Sequence, residues 1–125
     1  TKVVEIHVEG AASVAAAQRV AVSVARSQLV KTAFFGEDPN FGRILAAIGY
    51  AGVPLDPDKI DVSFNGIPVA KRGVGITANE KKAARTMRRP SFRVKIRLHQ
   101  GKRSASVWTS DLTHEYVRIN SAYRT

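Results

Sequence analysis

Phe92, Val94, Ile96 and Leu98 alternate without a break with Arg93, Lys95, Arg97 and His99. A side-chain period of two puts the apolar residues on one face of a strand and the basic ones on the other. Such a strand belongs in a sheet that is covered on one side and wet on the other. Lys2–Glu9 has the same grain, with Val4, Ile6 and Val8 on one face and Val3, Glu5 and His7 opposite. These two strands commit the chain to a half-covered sheet, and the cover must come from what lies between them.

Gly10 closes the first strand, and Ser13 is placed to cap a long helix reaching about Val30. Ala15, Ala16, Ala17, Ala21 and Ala25 give that helix a surface for close approach, with Val20, Val24 and Leu29 as its larger core contacts. Gly36 and the Asp38-Pro39 step interrupt regular structure, and Asn40 can cap a second helix from about Phe41 to Tyr50, with Gly52 as its stop. Ile44, Leu45 and Ile48 share one face of it. Asn65-Gly66 between the alternating runs Ile60–Phe64 and Ile67–Val69 predicts a hairpin with a type I′ turn. Thr77-x-x-Glu80 reads as a capping box for a short helix ending before Pro90. Gln100-Gly101-Lys102 turns the 92–98 strand into a partner over Ser104–Thr109, and a last short strand is expected at Tyr116–Asn120. The order β-α-α-ββ-α-ββ-β predicts one α+β domain over residues 1–125, a mixed sheet with helices packed on it.

The composition suits this. The chain has 125 residues, 44% of them hydrophobic, which is enough for one core without crosslinks. The absence of cysteine excludes disulfides, thiolate zinc sites, iron–sulfur clusters and a cysteine nucleophile. No apolar run approaches a bilayer span and no signal-peptide pattern opens the chain, so the expectation is a soluble domain in a reducing compartment. The chain opens Thr1-Lys2-Val3 with no initiator Met, so either something upstream was removed or this is one piece of a longer product.

Net charge is +10 and sits in one place. Residues 1–70 carry 6 basic and 7 acidic side chains, residues 104–125 carry 2 of each, and residues 71–103 carry 12 basic ones against Glu80 alone. A concentrated positive field attracts nucleic acid, phosphorylated ligands or carboxylates. Phe92 is the one aromatic in the Lys71–Arg103 stretch and its alternation points it inward, so base-stacking platforms are missing and a solvated basic face is the plainer reading.

Motifs with chemical content are few. Gly73-Val74-Gly75-Ile76-Thr77-Ala78 fits GxGxxA, but no strand–helix–strand unit surrounds it and no acid follows Glu80 before Asp111, so it reads as a loop before a helix. His7, His99 and His114 share no metal-ligand spacing. Ser110, Asp111 and His114 lie close together, yet triads are set by geometry, and turn chemistry accounts for the first two. Thr1 could act as an N-terminal nucleophile with its own amine as base, or merely mark where the segment begins. The residues alone leave that open.

The stretch Lys31-Thr32-Ala33-Phe34-Phe35-Gly36-Glu37-Asp38-Pro39-Asn40-Phe41-Gly42-Arg43-Ile44-Leu45-Ala46-Ala47-Ile48-Gly49 resembles the most recognisable part of the bifunctional ornithine acetyltransferase/N-acetylglutamate synthase family. The opening strand, Ser106-Val107-Trp108-Thr109-Ser110-Asp111-Leu112 and the ending from Tyr116 to Thr125 resemble it too, in the same order. The one visible departure is Phe41, where the family usually has Trp. The resemblance implies the C-terminal part of the β chain of a precursor that cleaves itself before an internal Thr. That Thr takes acetyl from N-acetylornithine and passes it to glutamate, with acetyl-CoA a second donor in some members and no bound cofactor or metal. It also implies a cytoplasmic α2β2 heterotetramer acting in arginine biosynthesis, with small-molecule substrates and neither nucleic acid nor membrane as partner.

Thr1 does not stand in the family's cleavage context, so the nucleophile, the oxyanion-hole residues, a substrate-binding Lys and a Glu just upstream are expected outside this chain. No catalytic residue is assigned within it. Two substrate-binding positions carry over from the resemblance, Asn120 and Thr125, while Glu37, Asp38 and Arg43 either shape the loop near the site or buttress it. Two other readings remain: a nucleic-acid-binding module using Lys71–Arg103, and an N-terminal threonine hydrolase using Thr1.

Overall fold

A computed structural model describes residues 1–122. Six strands form one mixed sheet. They are β1 (Val3–Ala11), β2 (Asp61–Phe64), β3 (Ile67–Lys71), β4 (Val74–Gly75), β5 (Ser91–Arg97) and β6 (Arg103–Ser110), in the order β4-β3-β2-β5-β1-β6. β1 runs parallel to β5, with Val4 opposite Phe92, and antiparallel to β6, with Ile6 opposite Val107. β6 was expected to pair with β5. Instead β1 lies between them and uses both of its hydrogen-bonding edges, one for each. The β5–β6 connection therefore crosses over the end of β1, where Gly101 passes so close to the Ala11 carbonyl that a Cβ would stand 2.5 Å from its oxygen. β1 also runs on through Gly10 to Ala11 with a register shift, rather than stopping at the glycine.

Four helices cover one face. α1 (Val14–Ala25) and α2 (Gln28–Phe35) replace the single helix expected to reach about Val30. The chain breaks at Arg26 and Ser27, where the Ser27 hydroxyl caps α2 through the Val30 N–H and the Thr109 hydroxyl takes the Ala25 carbonyl. This break turns Leu29 outward, 63% exposed, while Val20 and Val24 enter the core as expected. α3 (Phe41–Gly49) is capped by Asn40, and α4 (Glu80–Thr86) ends before Pro90. The capping box at Thr77 does not form. Thr77–Asn79 is a 3-10 turn, and neither its N-cap residue nor that of α4 makes a side-chain cap bond.

The hairpin turn is as predicted, with Asn65 and Gly66 at φ 49 and 81. Val74 and Gly75, expected in a loop, add a two-residue strand to the sheet edge. The core centres on Phe34, Phe64 and Phe92, with Phe34 edge-on to Phe92 at 5.4 Å between centroids. Burying a ring of that size stabilises by about 2–3 kcal/mol. Tyr116–Asn120, expected as a strand, lies in α5 (His114–Ala122). The Thr113 hydroxyl accepts the Tyr116 N–H at 2.9 Å, so the helix is started locally and no sheet edge is used. The opposite face of the sheet carries Glu5, His7, Glu9, Arg93, Lys95, Arg97 and Ser106, and no helix of the described residues covers it.

Candidate functional site

Lys2, Lys31, Glu37, Asp111 and Leu112, all from stretches that carry the family resemblance, meet at the end of the sheet where β1 begins and β6 ends. Asp111 follows β6 directly and is 6% exposed, the one buried charged residue in the described chain. Its Oδ1 accepts the Lys2 backbone N–H at 2.9 Å. The Lys2 side chain then reaches across the sheet end. Its Nζ donates to Glu37 at 3.2 Å and to the Met87 carbonyl at 2.5 Å. One residue thus ties together the start of β1, the end of β6, the loop after α2 and the end of α4. The Leu112 N–H bonds to the Lys31 carbonyl at 3.1 Å, which fastens the exit of β6 to α2.

The loop from Lys31 to Arg43 is organised from within. Gly36, Glu37 and Asp38 return their N–H groups to the Thr32, Phe34 and Ala33 carbonyls, closing the end of α2. Glu37 sits at φ 56, a left-handed conformation that costs a residue with a Cβ roughly 1–2 kcal/mol. Its carboxylate is what Lys2 binds. Asp38 accepts from the Asn40 side chain at 3.1 Å, Asn40 caps α3 through the Arg43 N–H at 3.0 Å, and the Arg43 guanidinium reaches the Leu29 carbonyl at 2.9 Å. Glu37, Asp38 and Arg43 are therefore all engaged with protein groups.

Asn120 lies on α5, exposed, with its side-chain amide donating to the Tyr116 carbonyl at 2.8 Å. Thr125 lies outside the described residues. The structure does not assemble Ser110, Asp111 and His114. Asp111 is spent on Lys2, and the His114 ring meets Phe35 edge-on at 5.4 Å. Gly73 and Gly75 owe their presence to close approach. A Cβ on Gly75 would lie 2.5 Å from a Phe41 ring carbon, and one on Gly73 would lie 2.6 Å from the Pro57 oxygen. Among the described residues no group of three metal-ligating side chains converges. A concavity of ≈ 1140 Å³ between α1 and α3 includes exposed Leu29 and Tyr50 and does not include Asp111.

Sequence reasoning missed a second polar cluster, on the open face. Ser106 Oγ donates to Glu5 at 2.9 Å and stands 2.7 Å from His7 Nδ1. With the serine proton committed to Glu5, His7 supplies the Nδ1–H, so the hydroxyl is not activated for attack. Glu9 faces His7 Nε2 at 3.5 Å, while Arg93 and Arg97 pair with Glu5 and Glu9 at 3.4 and 3.0 Å. Burial, and then the Arg93 charge, hold His7 below its ordinary pKa against the pull of Glu9 and Glu5. The clue lay in the outer residues of β1, but which of them meet depends on the β1–β6 register. At the edge of the same face, burial opposes ionisation of Asp61, yet the His99 hydrogen bond at 2.7 Å and the Arg72 N–H keep its pKa below the usual value.

Residues 1–125 match the profile of the ArgJ family. The chain belongs to that family. It is 48% identical over all its length to the arginine biosynthesis bifunctional protein ArgJ of Syntrophotalea carbinolica and 46% identical to that of Geobacter sulfurreducens. It spans 32% of the length of each. The crystal structure of the protein of the same name from Bacillus halodurans matches with a TM-score of 0.94 and 37% identity, covering 98% of this chain and 58% of that one. That match shows the mixed sheet with its helices, and the family expected from the Lys31–Gly49 stretch is the family found.

Proposed function

We propose that this chain is the C-terminal portion of the β chain of a self-processed acetyltransferase in arginine biosynthesis. In this reading the enzyme moves an acetyl group from N-acetylornithine to glutamate through an acetyl-threonine intermediate, and acetyl-CoA is a possible second donor. Dividing the transfer into two acyl exchanges replaces one difficult step by two easier ones, in ping-pong order. The chain contributes substrate-binding groups and the scaffold that aims them. The nucleophile and oxyanion hole come from the α chain and the upstream β segment, in a cytoplasmic α2β2 assembly.

The observation that carries the reading is the family match along the whole chain. The form of α5 supports it as well. This helix of 9 residues buries none of its own side chains and leaves Tyr116, Val117 and Ile119 more than half exposed. So short a helix gains little stability without packing, as expected of an element whose partner surface belongs to the remainder of a larger protein. Asn120 sits on it, and a primary amide suits an amino-acid substrate because it can both donate to a carboxylate and accept from an ammonium. Thr125 adds a hydroxyl to the same end of the chain.

The nucleic-acid reading loses its footing because the basic stretch is divided between two faces. Arg93 and Arg97 pair with acids on the open side of the sheet, while α4 lies in the helical layer. In the complete enzyme, Asn120→Ala is expected to raise KM for N-acetylornithine or glutamate about tenfold or more, the worth of one hydrogen bond to a charged group. Unfolding should be unaffected, since among the described residues the Asn120 side chain bonds only within its own helix. Unchanged kinetics would remove Asn120 from the site.

A further inference from the structure

α4 presents an outer face whose charge has no partner among the described residues. Its core side is fixed by Ala83 and Met87, both fully buried. Lys81, Lys82, Arg85, Arg88 and Arg89 consequently point away from the core, all exposed, and none of them enters an ion pair in the described structure. Within α4, Lys81 and Arg85 are four apart and Lys82 and Arg85 are three apart, while Arg88 and Arg89 follow its end. Like charges at these spacings destabilise a helix.

Helix capping does not account for them. The carbonyls of Ala84, Arg85 and Thr86 accept backbone N–H groups from Met87, Arg88 and Arg89; that of Ala83 accepts the Thr86 hydroxyl and that of Met87 the Lys2 ammonium. The end of α2 opposite is likewise satisfied by its own loop. Five cations are thus held together with no structural task that the backbone leaves undone.

Three of them share a concavity. Lys81, Arg85 and Arg88, with Ala84, form one wall of a recess of ≈ 470 Å³ whose other wall is Gly36 and Glu37. The Glu37 charge is already matched by Lys2 at 3.2 Å, so the space before the cations remains positive. Guanidinium forks match the oxygens of a phosphate two at a time, and a lysine adds a point charge. No aromatic ring lines the recess, which removes a stacking platform for bases. The volume suits a small molecule and not a duplex.

We propose that this recess binds the phosphate or diphosphate group of a small molecule, held by Lys81, Arg85 and Arg88. The group could be free or carried on a larger organic ester, and the two are separable. The test is calorimetric titration of the full chain with inorganic pyrophosphate and with coenzyme A, alongside thermal melts in each. Saturable binding is expected, weakened about tenfold or more in Arg85→Gln/Arg88→Gln, with the ligand raising the melting temperature of the unsubstituted chain only. Tighter binding of coenzyme A would assign the site to an organic diphosphate, and equal binding to the inorganic anion. Far-UV circular dichroism checks the fold, which substitution of two exposed side chains leaves intact. The proposal is overturned if neither ligand saturates, or if Arg93→Gln/Arg97→Gln on the opposite face weakens binding as much, since the attraction would then be net charge alone. Either failure leaves the acetyl-transfer reading standing, because Asn120 plays no part in the titration.

Discussion

Lys2→Met isolates what holds the sheet end together. Methionine keeps most of the aliphatic stem and removes the ammonium, and with it two contacts of unlike worth. The bond to the Met87 carbonyl is short, and the Lys2 side chain is 13% exposed, so a charge-assisted hydrogen bond of about 1.5–3 kcal/mol is lost there. The Glu37 carboxylate is 37% exposed, so water and salt screen that pair and its share is only about 0.2–1 kcal/mol. The expected loss is therefore about 2–4 kcal/mol, most of it at Met87. At an m-value of about 1.5 kcal/mol/M, the urea midpoint should fall by roughly 1.3–2.7 M.

The division between the two contacts is checked by a double-mutant cycle with Glu37→Gln, followed by far-UV circular dichroism in urea. Glu37→Gln alone should cost less than about 1 kcal/mol, with a coupling of similar size. A coupling above about 2 kcal/mol would refute the division, since an exposed pair cannot supply it. A Lys2→Met variant within about 0.5 kcal/mol of the unsubstituted protein would refute the idea that Lys2 holds the sheet end at all.

Gly75→Ala should lower stability by about 1–3 kcal/mol by pushing the Phe41 ring aside, measured as a melting-temperature shift, and Phe41→Leu in the same chain should recover part of it; no loss would mean that the glycine is kept for something other than ring packing. His7, with its folded pKa below the unfolded value of 6.5, binds fewer protons folded than unfolded. Its contribution to stability is therefore complete above pH 6.5 and is lost progressively as pH falls through the folded value. Imidazole NMR titration should show the depressed midpoint, moving further down in Glu9→Gln as the main opposing charge is removed; a midpoint above 6.5 would contradict the burial described.

The elements that local chemistry decides were legible in the sequence. Ser13 and Asn40 cap where expected, Asn65-Gly66 turns a hairpin, and the alternation at Val4–Val8 and Phe92–Leu98 becomes two buried strand faces. Elements decided by tertiary contact were not. Apolar residues on both sides of Ser27 read as one helix, and the Thr109 hydroxyl that takes the Ala25 carbonyl comes from a strand 84 positions away. Tyr116, Val117 and Ile119 read as a strand because no pattern separates so short a run from a helix, and Thr113 settles the matter with one bond. The site followed the same rule. The loop at Glu37 was recognisable as a sequence, but its link to Lys2, Met87 and Asp111 joins residues up to 109 positions apart. Spacing along the chain carries no trace of such a meeting.

Of the six strands in this sheet β1 is made first, yet β5 and β6, the two strands that flank it, come from the last third of the chain. At about 5–20 residues per second, a ribosome delivers Ser91, the partner of Val3, roughly 4–16 s after β1 has emerged. During that interval a strand with one wholly apolar side waits with both edges open, longer than most small domains need to fold. The helices that follow it are what can shield it. Ala17, Ala21 and Ala25 then serve a purpose in time as well as in space: a small-residue face lets α1 lie down on β1 early and keep it out of wrong pairings until its neighbours arrive.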